Sequence, residues 1–287
     1  MEIKKNEPLK NHTSFKIGGP CDEFAEAKSA EDVVSLIEYA KEKGIPYMVM
    51  GNGSNLLVSD KGIKGLVIKI AKGFDKVEIV GEKVVAEAGI LLSKLSNMVA
   101  DCELSGMEEV SGIPGTLGGG IYMNAGAYGG ELKDIVERVT YLSDGEIKVA
   151  EKGELDFGYR HSRFSGTDDI ILSAELSLKK ADISEIREKM ADFKERRCSK
   201  QPLSMPSAGS TFKRPEGYFA GKLIEDAELK GYSIGGAQVS EKHSGFVVNK
   251  GDATAQDVLD LIKHIQDTVY DRFGVKLETE VKLVGEF

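Results

Sequence analysis

The stretch from Ser111 to Gly130, SGIPGTLGGGIYMNAGAYGG, holds eight glycines in twenty residues, and no other feature of the chain narrows its possible folds as much. So many glycines lose much conformational entropy on ordering, and the loss needs a compensating partner. Bare backbone can approach a ligand closely, and successive N–H groups can hold an anion. The diphosphate of a dinucleotide suits such a cradle. No G-x-x-x-x-G-K-[ST] occurs, and Gly115, Gly118, Gly119 and Gly120 do not give G-x-G-x-x-G, which argues against a P-loop and a Rossmann site. Taken alone, the segment fits a glycine-rich surface loop or a tightly packed turn equally well.

A second loop shifts that balance. Ile45 to Met50 (IPYMVM) reads as a buried strand that runs into Gly51-Asn52-Gly53-Ser54-Asn55, followed by Leu56-Leu57-Val58. A hairpin turn explains this loop in isolation. Two such loops in one half of the chain favour a phosphate cradle.

At 287 residues the chain exceeds the usual size of one core, so two or three lobes of roughly 80 to 150 residues are expected. A net charge of −9 argues against nucleic-acid binding through phosphate neutralisation. No apolar run approaches the roughly 18 residues that span a bilayer, and MEIKKNEPLK at the start lacks the apolar core of a signal peptide. The expectation is a cytoplasmic protein without membrane attachment, and no protein partner is inferred. Cys21, Cys102 and Cys198 form no C-x-x-C, and His12, His161, His243 and His264 show no H-x-x-x-H, so no metal site and no disulfide framework are expected.

Ser29 and Asp32 predict a capping box for a helix carrying Val33, Leu36, Ile37 and Ala40 until Gly44. With strands at Phe24–Ala27 and Ile45–Met50, this is a β-α-β unit. Gly65–Ile70 reads as a strand, and Lys76–Val80 and Lys83–Ala88 as a hairpin about Gly81-Glu82. Leu91, Leu95, Met98, Val99 and Cys102 make a buried helical stripe, and Ile135–Leu142 and Ile170–Leu178 read as strands. Asp182–Lys200 is helical in pattern, and Gln201-Pro202 breaks it. Val258, Leu261, Ile262, Ile265 and Val269 form the buried face of a long helix ended by Gly274. The final strand alternates, with Val275, Leu277, Thr279, Val281 and Leu283 on one face.

Six strings coincide in order with one family: NHTSFKIGGP from Asn11, GNGSNLLV from Gly51, SGIPGTLGGGIYMNAGAYG from Ser111, GYRHSRF from Gly158, PSAGSTFKRP from Pro206 and LETEV from Leu277. The sequence resembles the UDP-N-acetylenolpyruvoylglucosamine reductases (UDP-N-acetylmuramate dehydrogenases) of peptidoglycan synthesis over nearly its whole length. The resemblance implies an α+β protein: an FAD-binding domain of the vanillyl-alcohol-oxidase type built from two α/β subdomains, residues 1–74 and 75–180, plus a C-terminal α+β substrate-binding domain, residues 181–287. It also implies non-covalent FAD, NADPH as hydride donor, and reduction of an enolpyruvyl UDP-sugar to UDP-N-acetylmuramate. About 50 residues separate Arg160 from Ser210, which resembles the shorter subclass that lacks an inserted substrate lid.

Carried over by position, Ser210 resembles the proton donor, Arg160 the cation beside the substrate carboxylate, and Glu280 its acidic partner. Hydride arriving at the methylene carbon leaves electron density on its neighbour and the carboxylate, which a guanidinium or a protonated acid stabilises. The residues also have plain readings: a surface arginine, a turn hydroxyl beside Gly209, and one charge of a solvated strand face. The resemblance places cofactor contacts on Gly51, Asn52, Gly53, Ser54, Asn55 and Leu56, and on Gly112, Ile113, Pro114, Gly115, Thr116, Gly119, Asn124, Ala125, Gly126 and Ala127. It places Lys200, Arg214 and His243 on the UDP-sugar, with Arg214 departing from an asparagine of some relatives. Another FAD-dependent oxidase or dehydrogenase on the same fold, or a non-catalytic nucleotide-sugar or flavin binding protein, remains open at this point.

Overall fold

Capping side chains and left-handed glycines set the ends of the helices Ala30–Lys43 and Ala255–Phe273, and strand pairing organises much of the rest. The structure, a computed structural model, describes residues 2–287. In chain order the elements begin β1 (Lys4–Pro8), β2 (Pro20–Ala27), α1 (Ala30–Lys43), β3 (Tyr47–Met50), β4 (Leu56–Val58), β5 (Ile63–Ile70), β6 (Val77–Val80), β7 (Lys83–Glu87) and α2 (Leu92–Asp101). They continue with β8 (Leu104–Ser105), α3 (Leu117–Tyr122), β9 (Gly126–Ala127), β10 (Gly130–Glu131), β11 (Val136–Ser143), β12 (Glu146–Glu151), β13 (Ile170–Ser177) and β14 (Lys179–Lys180). The last are α4 (Ile183–Lys200), α5 (Ala220–Asp226), β15 (Ser233–Ile234), β16 (Ala237–Val239), β17 (Val247–Asn249), α6 (Ala255–Phe273) and β18 (Lys282–Val284).

Helix α1 starts as its sequence predicts: Ser29 Oγ accepts from the Asp32 N–H at 3.2 Å, although Asp32 accepts from Lys28 N–H at 2.9 Å rather than closing a full box. Gly44 and Gly274 end α1 and α6 at φ 63° and 68°, a left-handed conformation that costs glycine nothing. At α6 the box is complete, with Thr254 Oγ1 accepting from Asp257 N–H and Asp257 from Thr254 N–H, both at 3.0 Å. Asp60 adds acceptors for the free N–H groups of Ala255 and Gln256 at 2.8 and 3.1 Å.

The described chain groups into two units. Ala25–Asn52 with Val67–Arg197 make the first, and Ile3–Phe24, Gly53–Leu66 and Cys198–Phe287 the second. In the first, an antiparallel sheet runs β12-β11-β13-β7-β6, and its core includes Val84, Ala86, Leu92, Leu95, Leu117, Ile121, Val139 and Leu176, each 1% exposed or less. Burying each of the larger of these side chains stabilises the fold by about 1.5–3 kcal/mol. Strand β12 was not anticipated from the sequence. In the second unit, β15-β16-β17 form an antiparallel sheet, and Val258, Leu261, Ile262, Ile265 and Val269 of α6 lie in one core with Phe15, Ile17 and Leu57.

These units differ from the expected segments 1–74, 75–180 and 181–287. Residues near the amino terminus group with the C-terminal ones because β4 pairs in parallel with β18, Leu57 opposite Leu283, and Ser14 Oγ donates to Ser207 O at 2.7 Å. The two strands of the expected β-α-β unit, β2 and β3, lie in one sheet of order β1-β2-β5-β3, with β5 between them. One local expectation is corrected. The long final strand is short: only Lys282–Val284 is a strand, and Leu283 is 45% exposed. Residues before it meet the Thr211 segment through a single bridge, Phe212 opposite Thr279, before the backbone turns to β4.

Candidate active site

The Gly51 loop is not a hairpin, because β3 and β4 belong to different sheets. Instead it approaches the glycine stretch. Asn52 Nδ2 donates to Pro114 O at 2.7 Å, and a Cβ on Gly51 would fall 2.4 Å from Thr116 Oγ1. Any larger residue at 51 would force the loops apart. Within the stretch the glycines divide by cause. A Cβ would come within 2.9 Å of Ala88 Cβ at Gly118 and within 2.8 Å of Leu132 Cδ1 at Gly120, so these two let α3 pack close to its neighbours. At Gly119 a Cβ meets only Thr116 Oγ1 at 3.5 Å, and the residue is exposed.

This geometry suits an anion. Among the described residues no acceptor takes the consecutive N–H groups of Gly115 and Thr116, an arrangement that can bind phosphate oxygens. Such a donor set fits the diphosphate of FAD.

Asn124 is fully buried and sits at φ 43°. Its Nδ2 donates to Glu131 Oε2 at 3.1 Å and to Gly158 O at 2.9 Å, while Oδ1 accepts from Lys133 N–H at 2.9 Å. The side chain is thus committed to the protein, and the backbone N–H donates to Ile121 O at 3.1 Å. Gly158 and His161 close a two-residue turn by mutual N–H···O bonds of 3.0 and 3.3 Å. That turn carries Arg160 at φ 53°. Arg160 Nη2 donates to Gly126 O at 3.3 Å, and the guanidinium lies 5.1 Å from the Tyr159 ring. The structure therefore brings Arg160 to the Gly126 end of the glycine stretch.

In the second unit Ser210 and Glu280 share a pivot. Thr211 is buried; its N–H donates to Gly245 O at 2.9 Å and its carbonyl accepts from Glu280 N–H at 2.8 Å. Its Oγ1 accepts from Val247 N–H at 3.0 Å. Glu280 is held from the other side, since its carbonyl accepts from Asn55 Nδ2 at 3.1 Å. Ser210 is exposed, and among the described residues its hydroxyl has no hydrogen-bond partner. Neither Thr211 nor this use of Asn55 was legible in the sequence, because both depend on pairing between distant segments.

Lys200 is exposed at the end of α4. Arg214 is exposed, its guanidinium 4.0 Å from the Phe219 ring centroid, a contact of the cation–π kind. His243 is half-buried, and burial is the largest cause holding its imidazole below the ordinary histidine range.

Comparison with known proteins shows the family. A family profile described as FAD binding domain matches residues 21–151, and one described as UDP-N-acetylenolpyruvoylglucosamine reductase, C-terminal domain, matches residues 201–284. The chain is 58% identical to the UDP-N-acetylenolpyruvoylglucosamine reductase of Alkaliphilus oremlandii over 98% of its length and 93% of that protein's. For the Clostridioides difficile protein of that name the values are 51%, 99% and 94%. The crystal structure of UDP-N-acetylenolpyruvylglucosamine reductase from Thermus caldophilus superposes with a TM-score of 0.86 at 37% identity, covering 99% of this chain and 98% of that one. With identities this high over nearly complete lengths, the chain belongs to the UDP-N-acetylenolpyruvoylglucosamine reductase family.

Proposed function

We propose that the chain reduces the enolpyruvyl group of UDP-N-acetylglucosamine enolpyruvate with NADPH, giving UDP-N-acetylmuramate for peptidoglycan. Bound FAD supplies the hydride relay between NADPH and the substrate. The chain's own residues bind, orient and protonate. The observation that carries this reading is the Thr211 pivot, which holds on adjoining segments Glu280 and Ser210, whose hydroxyl has no hydrogen-bond partner among the described residues.

The backbone of Gly51, Asn52, Gly53, Ser54, Asn55 and Leu56, with that of Gly112 to Thr116, Gly119 and Asn124 to Ala127, cradles the cofactor. Arg160 faces the substrate carboxylate, where charge-assisted hydrogen bonds strengthen as negative charge develops. Glu280 completes that environment. Ser210 Oγ delivers a proton to the carbon next to the one that accepts hydride, and the proton is replaced from solvent. Lys200, Arg214 and His243 hold the UDP-sugar. By duty, residues 1–74 and 75–180 are the FAD-binding subdomains and 181–287 the substrate-binding domain. We place the enzyme in the cytoplasm; among the described residues no helix is long and apolar enough to cross a membrane.

The test is spectroscopic. Purified protein should show flavin bands that bleach with NADPH under anaerobic conditions and return on adding the enolpyruvyl sugar. A reduced flavin that air reoxidises rapidly but the enolpyruvyl sugar does not would favour an oxidase. A colourless protein that binds UDP-sugars would favour a binding protein.

A further inference from the structure

His243 lies in the turn between β16 and β17, and its backbone leaves little freedom. Ser240 Oγ accepts from the N–H groups of Lys242 and His243 at 3.1 and 3.3 Å, and Phe246 N–H donates to His243 O at 3.0 Å. The ring is fixed too. Gly245 N–H donates to His243 Nδ1 at 3.1 Å, so Nδ1 carries a lone pair and the neutral ring has its proton on Nε2. Gly221 and Gly245 leave room for the ring: a Cβ on either would approach Cε1 to 3.3 or 3.0 Å. Phe246 packs edge-on with centroids 5.0 Å apart. Among the described residues no acceptor takes the Nε2 proton.

The charged groups nearest the ring are paired with one another. On α5 and the turn after it, Lys222 pairs with Asp226 and Lys230 with Glu225 at 3.2 Å. Burial, the largest influence, lowers the ring's proton affinity and outweighs the residue's own backbone hydrogen bond and Glu225, which raise it, while Lys230 lowers it slightly. On the ring's own turn, Glu241 is exposed, and Lys242 Nζ donates to Cys198 O at 2.5 Å.

We propose that His243 meets the nucleotide sugar as a neutral donor, offering Nε2–H to an acceptor oxygen of the ligand while Gly245 N–H fixes the tautomer. The ligand half rests on the substrate placement proposed above; the tautomer half does not. Protonation would set an Nδ1–H against the Gly245 N–H and disrupt the turn, so affinity for the sugar falls as pH drops through the ring's lowered pKa. A cationic clamp would show the opposite trend.

Nitrogen-resolved NMR of the flavin-loaded enzyme reads the first half directly. The His243 ring should show the Nε2–H tautomer at neutral pH and titrate below the ordinary value of about 6.5. An Nδ1–H tautomer or an imidazolium at neutral pH would overturn the proposal. The second half is read by a pair of variants. Glutamine places an amide donor near the Nε2 position, whereas asparagine reaches only the Nδ1 position. His243→Asn should raise KM for the enolpyruvyl sugar by about tenfold, the scale of one lost hydrogen bond, and His243→Gln by less than about threefold. Flavin content and circular dichroism of both variants control for folding. Equal losses in the two variants, or no loss in His243→Asn, would refute the donor role. Failure of the wild type to turn over the sugar would sink the functional reading and the ligand half, whereas the NMR result would still judge the tautomer.

Discussion

The glycine stretch of the first unit and the Ser210–Glu280 region of the second, the two regions proposed to meet ligands, are built by opposite means. In the stretch, missing side chains let α3 pack closely at Gly118 and Gly120 and leave backbone N–H groups bare at Gly115 and Thr116, and the sequence advertises this as composition. In the second region, side chains project from backbone that distant segments hold in place, and composition is silent. A cradle made of absence is legible in a string of letters, whereas a cluster made by pairing is legible only after the chain has folded.

The largest effect that can break this comparison is expected at Ser210. If the pivot presents a proton donor, Ser210→Ala should lower the rate of flavin reoxidation by the enolpyruvyl sugar roughly 10²- to 10⁴-fold while leaving NADPH-driven reduction near normal. Wild-type reoxidation in stopped flow would reduce the hydroxyl to a turn residue. Arg160→Ala should impair the same half-reaction, and slowed reduction by NADPH with normal reoxidation would refute the assignment.

A pair of glycine variants sharpens the first half of the comparison. An alanine at 120 would press within 2.8 Å of Leu132 Cδ1 and 3.1 Å of Leu92 Cδ1, so Gly120→Ala should lose about 1–3 kcal/mol of stability from overpacking. An alanine at 119 meets only Thr116 Oγ1 at 3.5 Å. Gly119→Ala should therefore keep its stability, or gain about 0.5–1 kcal/mol in the helix, yet purify with less flavin. Full flavin occupancy in Gly119→Ala would remove that glycine from the cradle.

Thr211→Val tests the pivot without touching a ligand-facing group. It keeps the shape but deletes the acceptor of the buried Val247 N–H, a loss of about 1–3 kcal/mol. Chemical denaturation should show it, together with weakened sugar-driven reoxidation. Normal reoxidation in a destabilised variant would separate the pivot from catalysis.

The smallest effect is at the α6 cap. The Thr254 backbone N–H, foremost, holds the Asp257 carboxyl below its ordinary range. A lowered folded-state pKa means the contribution is fully present above the unfolded value of about 3.9 and is lost as pH falls through the lowered one. Asp257→Asn should cost about 1 kcal/mol at neutral pH, and its difference from the wild type should shrink in acid. A difference independent of pH would mean that the charge contributes nothing.

What the sequence determined by itself was set by neighbours within a few residues. Ser29, Gly44, Thr254 and Gly274 fix helix ends through caps and left-handed turns; the apolar stripe of α6 fixes its buried face; and the glycines of 111–130 mark close backbone approach. These are short-range interactions, so the letters suffice. Tertiary structure alone decided the rest: that Gly51 abuts Thr116, that Asn124 is spent on Glu131, Gly158 and Lys133, that β4 pairs with β18, and that Thr211 joins Ser210 to Glu280. The clean alternation of Val275 to Leu283 misled because periodicity records which side chains can face a core, while the pairing partner decides whether a strand forms. Those partners lie far along the chain, where no local pattern names them.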